Sequence, residues 1–135
     1  MGDPVWWTDL RGEQIGAGAS PALIDELLEL ILTGKKTAST GALSAYNGVI
    51  PRAGDRCVLM DGRFAPRCVI EVDEVTVQRF DEVSEAFALL EGEGDYPAWR
   101  AAHERFFAEF AGGFSPDMTV VCERYRVIEI ISEQG

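Results

Sequence analysis

The chain predicts an α+β fold, a small mixed β-barrel with two or three flanking helices. Three observations lead there. Segments of strand character outnumber segments of helical character, no strand-helix-strand repeat of the kind that builds a parallel sheet is present, and no internal repeat appears. With 135 residues, 47% of them hydrophobic, the chain suffices for one compact core and not for two.

Residues 1–14 read as an N-terminal arm and residues 15–135 as the domain. Pro4, Gly12, Gly16 and Gly18 punctuate the opening stretch, and no hydrophobic period survives there. Trp6 and Trp7 are its exception, and adjacent indoles read as folding back onto the domain rather than resting on a partner. Ser20-Pro21 opens a helix, because a serine oxygen accepts from the free N–H groups of the first turn and proline's fixed φ suits it. Leu23, Ile24, Leu27, Leu28 and Ile31 follow at helical spacing, and Gly34 ends the run.

Short strands and turns come next. Tyr46-Asn47-Gly48 reads as a loop, and Pro51 to Asp55 as a turn into a strand over 56–60. Asp61-Gly62 predicts a tight hairpin, with a return strand over about 63–72 and a bulge at Asp73-Glu74, where the alternation slips before Val75. Asp81 reads as the cap of a helix that ends at Gly92 and Gly94. A second helix begins near Pro97 and carries Trp99, His103, Phe106, Phe107 and Phe110. A long closing strand covers 118–131, rich in Val, Ile and Tyr.

The formal charge of −11 argues against a broad basic surface, so duplex DNA is not an expected partner. Residues 35–68 are locally different: Lys35, Lys36, Arg52, Arg56, Arg63 and Arg67 face only Asp55 and Asp61, a balance of +4. Folded around a cleft, this segment would hold an anion; spread over a surface, it would be a solvated basic face. Cys57, Cys68 and Cys122 show no C-x-x-C spacing and read as small buried side chains, not as a disulfide framework or a zinc site. No stretch approaches the roughly 20 apolar residues of a membrane span, and the N-terminus lacks the basic-then-apolar pattern of a signal peptide. A cytoplasmic location is the expectation.

The stretch Gly34-Lys35-Lys36-Thr37-Ala38-Ser39-Thr40 is where chemistry is expected. It places two lysines and three hydroxyls at the exit of a packed helix. Hydroxyls near a lysine suit a nucleophile with an amine base, although the same run also reads as a charged strand start. It is no phosphate-cradling loop, since Leu30-Ile31-Leu32 stands where flexible glycine-rich chain is needed. In an extended strand Lys36 and Ser39 point to opposite faces, so a site using both needs a bend. Glu91 or Glu93 can supply a carboxylate, while composition alone reads Glu91 to Asp95 as an exposed acidic turn. His103 reads as a packed or partly exposed imidazole. Tyr46, Tyr96 and Trp99 are either core or platforms for stacking a base. No metal-ligand spacing and no cofactor motif is present, so neither a metal nor a cofactor is expected.

Taken in order, several segments resemble a known family: Ser20-Pro-Ala-Leu, Gly34-Lys-Lys-Thr-Ala-Ser39, Ala53-Gly-Asp55, Cys68-Val-Ile-Glu71-Val, Phe80-Asp-Glu-Val83, Glu91-Gly-Glu-Gly94-Asp, Trp99-x3-His103-x2-Phe106-Phe and Val120-Val-Cys-Glu123-x-Tyr-x-Val127. The set, spanning about 15–131, is similar to the ASCH-domain family. The resemblance implies a PUA-like β-barrel, a fold associated with RNA and modified nucleosides, with the G-K-K-T segment lining a cleft. It also implies a choice between RNA-binding or single-strand ribonuclease activity and removal of the acetyl group from acetylated cytidine. Carried across from that amidohydrolase, its lysine falls on Lys36, its glutamate on Glu91 and its threonine nucleophile on Ser39, while Gly41 stands where that enzyme has an arginine. One expectation is therefore a hydrolase in which Ser39 attacks, neutral Lys36 takes its proton and Glu91 orients the lysine. The alternative is a non-catalytic module that holds single-stranded RNA or a nucleoside-type small molecule through Lys35, Lys36, Thr37 and Arg52, with Tyr46 or Trp99 stacked on a base. Oligomeric state has no signature in the sequence.

Overall fold

The structure, a computed structural model, describes residues 5–16 and 19–132. Five strands form one mixed sheet: β1 (Gly12–Gln14), β2 (Ala38–Ala42), β3 (Arg56–Met60), β4 (Pro66–Arg79) and β5 (Thr119–Ile130), in the order β1-β3-β4-β5-β2. Only β1 and β3 run parallel; the other pairs are antiparallel. The ladder does not close into a barrel, and β1 and β2 are its two edges. Three helices flank the sheet: α1 (Pro21–Leu32), α2 (Glu85–Leu89) and α3 (Tyr96–Phe110).

Alternation along the strands sorts the core into two layers. Leu28 and Ile31 of α1 pack on Cys57, Leu59, Cys68, Ile70 and Tyr125 on one face of the sheet. Phe80, Trp99 and Phe107 pack on Ala42, Val120 and Cys122 on the other, beneath α2 and α3. All three cysteines are free and buried, as their apolar settings lead one to expect.

The first helix follows its sequence signals closely. Ser20 accepts from the Leu23 N–H, Pro21 stands at the first turn, and Gly34 takes a φ of +80° beyond the C-terminus. Four elements depart from expectation. Residues 12–14 are not arm but an edge strand, whose alternation is too short to be read alone. Residues 61–65 form a wider turn than a tight hairpin, with Asp61 accepting from the Arg63 and Ala65 N–H groups and Phe64 at a φ of +64°. The cap of the helix after β4 is Ser84, which accepts from the Phe87 N–H, while Asp81 lies in a separate 3-10 turn over Phe80–Glu82. The return strand does not end near 72 but runs on to Arg79, and the slip predicted at Asp73-Glu74 is a register shift between Val72 and Glu74.

Candidate functional site

The site lies at the free edge of β2. Because no strand among the described residues covers that edge, side chains from both faces of β2 can border the same cleft, which α1 walls on one side and α3 on the other. Its volume is about 380 Å³, and Lys36, Ser39, Thr40, Glu91, Glu93 and His103 form its polar part. Leu23 and Leu27 of α1 face Phe106 and Phe110 of α3 across it. The bend that a joint Lys36 and Ser39 site seemed to need is replaced by an edge.

Glu91 is the hub. Its carboxylate is 1% exposed and accepts from three side chains, Lys36 Nζ at 3.1 Å on Oε1 and Thr40 Oγ1 at 2.8 Å and Trp99 Nε1 at 2.7 Å on Oε2, while His103 Nε2 stands 3.5 Å from Oε1, where it donates as an imidazolium. Burial alone would raise its pKa, but the hydrogen bond from His103 and the charge of Lys36 hold it well below the usual carboxylate range. The approach of the two chain segments is tight. Gly92 takes a φ of +68°, and a Cβ built there would sit 2.4 Å from the Lys35 carbonyl oxygen. A glycine is what lets the Glu91 turn lie against the exit of α1.

Lys36 is 3% exposed and also donates to Glu93 Oε2 at 3.0 Å. Burial by itself would depress its pKa; the charge of Glu91, with Tyr125 and Glu93, outweighs burial and holds it above the ordinary lysine value. Lys36 is thus an ammonium at neutral pH, and the expectation of a neutral lysine base is corrected. A buried amine between two carboxylates keeps its proton. Ser39 is half-buried, and its hydroxyl shares a hydrogen bond of 2.7 Å with the Tyr125 hydroxyl, which also donates to the Ala38 carbonyl at 3.2 Å.

His103 is nearly buried. Its Nδ1 lies 2.8 Å from the Trp99 carbonyl oxygen, an atom that can only accept, so Nδ1 carries a hydrogen and Nε2 faces Glu91. Burial lowers its pKa, and the hydrogen bond to Glu91 with the Glu91 charge more than reverses that, so the net shift is upward. Ligand atoms of Glu91, Glu93 and His103 lie within 4.8 Å of one another, a donor set that could hold a metal ion. Lys36 Nζ already stands at contact distance from both carboxylates, so an ion there would meet a cation of the chain itself.

The predicted ligand-binding residues do not converge. Lys35 and Arg52 are exposed and do not line the cleft, and the Thr37 hydroxyl makes a long bond to the Leu90 carbonyl at 3.4 Å. Tyr46 lies over Gly41 and donates to Glu123 at 2.9 Å, outside the cleft. Trp99 is fully buried and sandwiched between Phe80, at 5.2 Å, and Tyr96, at 5.7 Å, so it has no face left for a base. Nor does the +4 segment surround the cleft: Arg56 pairs with Glu71, Arg67 lies within 3.6 Å of Asp61, and of the six basic residues only Lys36 lines it. Thr40, His103 and Tyr125 were not singled out for the site. Thr40 and Lys36 stand four apart, which puts them on one side of an extended strand; the histidine's role has no local signal.

The family model described as ASCH domain matches residues 13–129. A crystal structure of a protein from Enterococcus faecalis V583, carrying the family name DUF984, is similar at a TM-score of 0.82 and 31% identity, over 89% of this chain and 77% of that one. An ASCH domain from Lactobacillus crispatus JV V101 is similar at a TM-score of 0.79 and 30% identity, over 91% of this chain and 82% of that one. Among curated proteins, none matches the chain.

Proposed function

This chain belongs to the ASCH-domain family, and from that premise we propose that it binds a nucleoside-type ligand, a modified nucleoside or one nucleotide of single-stranded RNA, in the cleft at the free edge of β2. The observation that carries this reading is the composition of the cleft: a polar end built on Lys36, Thr40, Glu93 and His103, continuous with apolar walls from α1 and α3. Its volume falls within the ~300–1,000 Å³ range of small-molecule sites. The charge balance favours a ligand of low charge, since Lys36 and Arg105 meet three carboxylates, Glu91, Glu93 and Glu109. A phosphate chain would meet repulsion at this cleft and from most of the surface. Isothermal titration with cytidine, an N-acetylated cytidine and a short single-stranded oligonucleotide tests the reading. A nucleoside should bind the wild type and not Lys36→Ala; binding undiminished in that variant refutes it.

A second reading, hydrolysis, is supported by Lys36, Ser39 and Glu91 bordering one cleft. In this arrangement the charged Lys36 gives a proton to the leaving amine as the Ser39 hydroxyl attacks the acyl carbonyl, takes up the serine proton in exchange, and water then cleaves the acetyl-serine ester to release acetate. Ser39→Ala should abolish release of acetate from an N-acetylated cytidine and leave affinity within about twofold, since the Ser39 hydroxyl lies outside the Lys36 network. Hydrolysis that survives Ser39→Ala removes this reading and leaves the first intact.

A further inference from the structure

The two carboxylates on Lys36 are built differently. Glu91 is buried and accepts from three side chains on its two oxygens, with His103 Nε2 3.5 Å away, so it has no freedom to leave. Glu93 has a side chain 22% exposed at the mouth of the cleft, and its one side-chain hydrogen bond among the described residues goes to Lys36. It also stands between two glycines of positive φ, Gly92 at +68° and Gly94 at +99°, so it sits on a turn rather than in a helix or strand. Lys36 itself, at 3% exposure, offers too little surface for an incoming ligand atom while both carboxylates are in place.

We propose that Glu93 is a displaceable latch on Lys36: it occupies the ammonium in the empty cleft and yields it to an oxygen acceptor of the ligand, leaving Glu91 as the permanent counter-ion. The proposal rests on the cleft being the ligand site. It deepens that reading by naming the group recognised, a carbonyl or carboxylate oxygen that takes the place of the Glu93 carboxylate. The physical reason is electrostatic. Lys36 without Glu93 would still be neutralised by Glu91, so the charge left uncompensated by opening is small, and a dipolar oxygen suffices to replace the lost bond. Releasing Glu93 into water restores its hydration, whereas releasing Glu91 would leave the buried Thr40 and Trp99 donors without their acceptor.

The test compares wild type with Glu93→Gln and Glu93→Asp, the second keeping the charge but shortening the reach to Lys36. Both should bind an N-acetylated cytidine more tightly; if the open state is about one-tenth populated in the wild type, the gain is about tenfold in Kd. Affinity unchanged or weakened in both variants overturns the latch. Should no protein bind the nucleoside, sodium acetate decides the matter separately, as a free carboxylate that can replace the missing side chain. Acetate should raise the Tm of Glu93→Ala and not that of the wild type; no such difference overturns the latch, while its presence keeps the latch although the nucleoside reading has failed.

Discussion

Glu91 is the residue whose loss the fold should feel most. Glu91→Ala leaves the buried Lys36 with Glu93 alone and deprives Thr40 and Trp99 of their buried acceptor, so it should cost about 3–5 kcal/mol in urea denaturation. Glu93→Ala, at the cleft mouth, should cost much less. Gly92→Ala sets a side chain against the Lys35 carbonyl in a left-handed backbone conformation, and a loss of about 1–3 kcal/mol is expected from that strain. A pH series isolates His103, the chain's sole histidine. Its pKa is raised by folding, so its contribution is complete below the unfolded value near 6.5 and is lost as pH rises through the higher folded value. Stability should therefore decline from pH 6 toward alkaline pH, and His103→Gln should flatten that decline. The Glu91 shift runs the other way: its contribution is present above the ordinary glutamate value and disappears only in strong acid.

At the scale of elements, the site depends on α3 and on the exposed edge of β2. Helix α3 carries Trp99 and His103 on one face, at a spacing of four, and both reach Glu91 from it. Its N-cap is Asp95, which accepts from the Ala98 N–H at 2.9 Å. Asp95→Ala should cost about 1 kcal/mol and should weaken ligand binding as the first turn frays, measurable by thermal denaturation and titration together. Strand β2 pairs with β5 alone, from Ala38 opposite Arg124 to Ala42 opposite Val120. Its other edge carries no strand partner among the described residues, and Ser39 and Thr40 line the cleft there.

For the whole molecule, charge distribution bears on the proposed ligand. The basic residues of 35–68 are dispersed, Arg56 paired with Glu71 of the neighbouring strand and Arg67 within 3.6 Å of Asp61, and the cleft holds more carboxylates than cations when His103 is neutral. Binding of an uncharged nucleoside should be insensitive to salt between about 50 and about 200 mM. A mode that neutralised several phosphates would lose orders of magnitude in affinity over that range. A steep salt dependence would mean that the ligand lies along Lys35 and Arg52 instead. Among the described residues, no helix is long and apolar enough to cross a membrane.

Much of this was legible along the chain because it rests on local rules. Ser20, Pro21 and Gly34 delimit α1 through hydrogen bonds and backbone angles that involve near neighbours only. The alternation from Cys68 onward shows its own slip at Asp73, since period-two burial has to be re-phased there. Lys36, Ser39 and Glu91 were named from a pattern of segments, and they do border one cleft. Other features depend on distances between residues far apart in the chain. Whether Trp99 faces a ligand or the core depends on Phe80 and Tyr96, and whether Lys36 is a base or an acid depends on two carboxylates 55 and 57 residues away. The openness of the sheet also depends on tertiary structure, because closing a barrel requires a strand-to-strand ladder between β1 and β2 that no local pattern specifies. The amino-acid order by itself determined the family, most of the elements and three of the residues that border the cleft; only the folded chain decided the edge strand β1, the place of Thr40 and His103 at the cleft and which groups hold their protons, because charge and burial act through space.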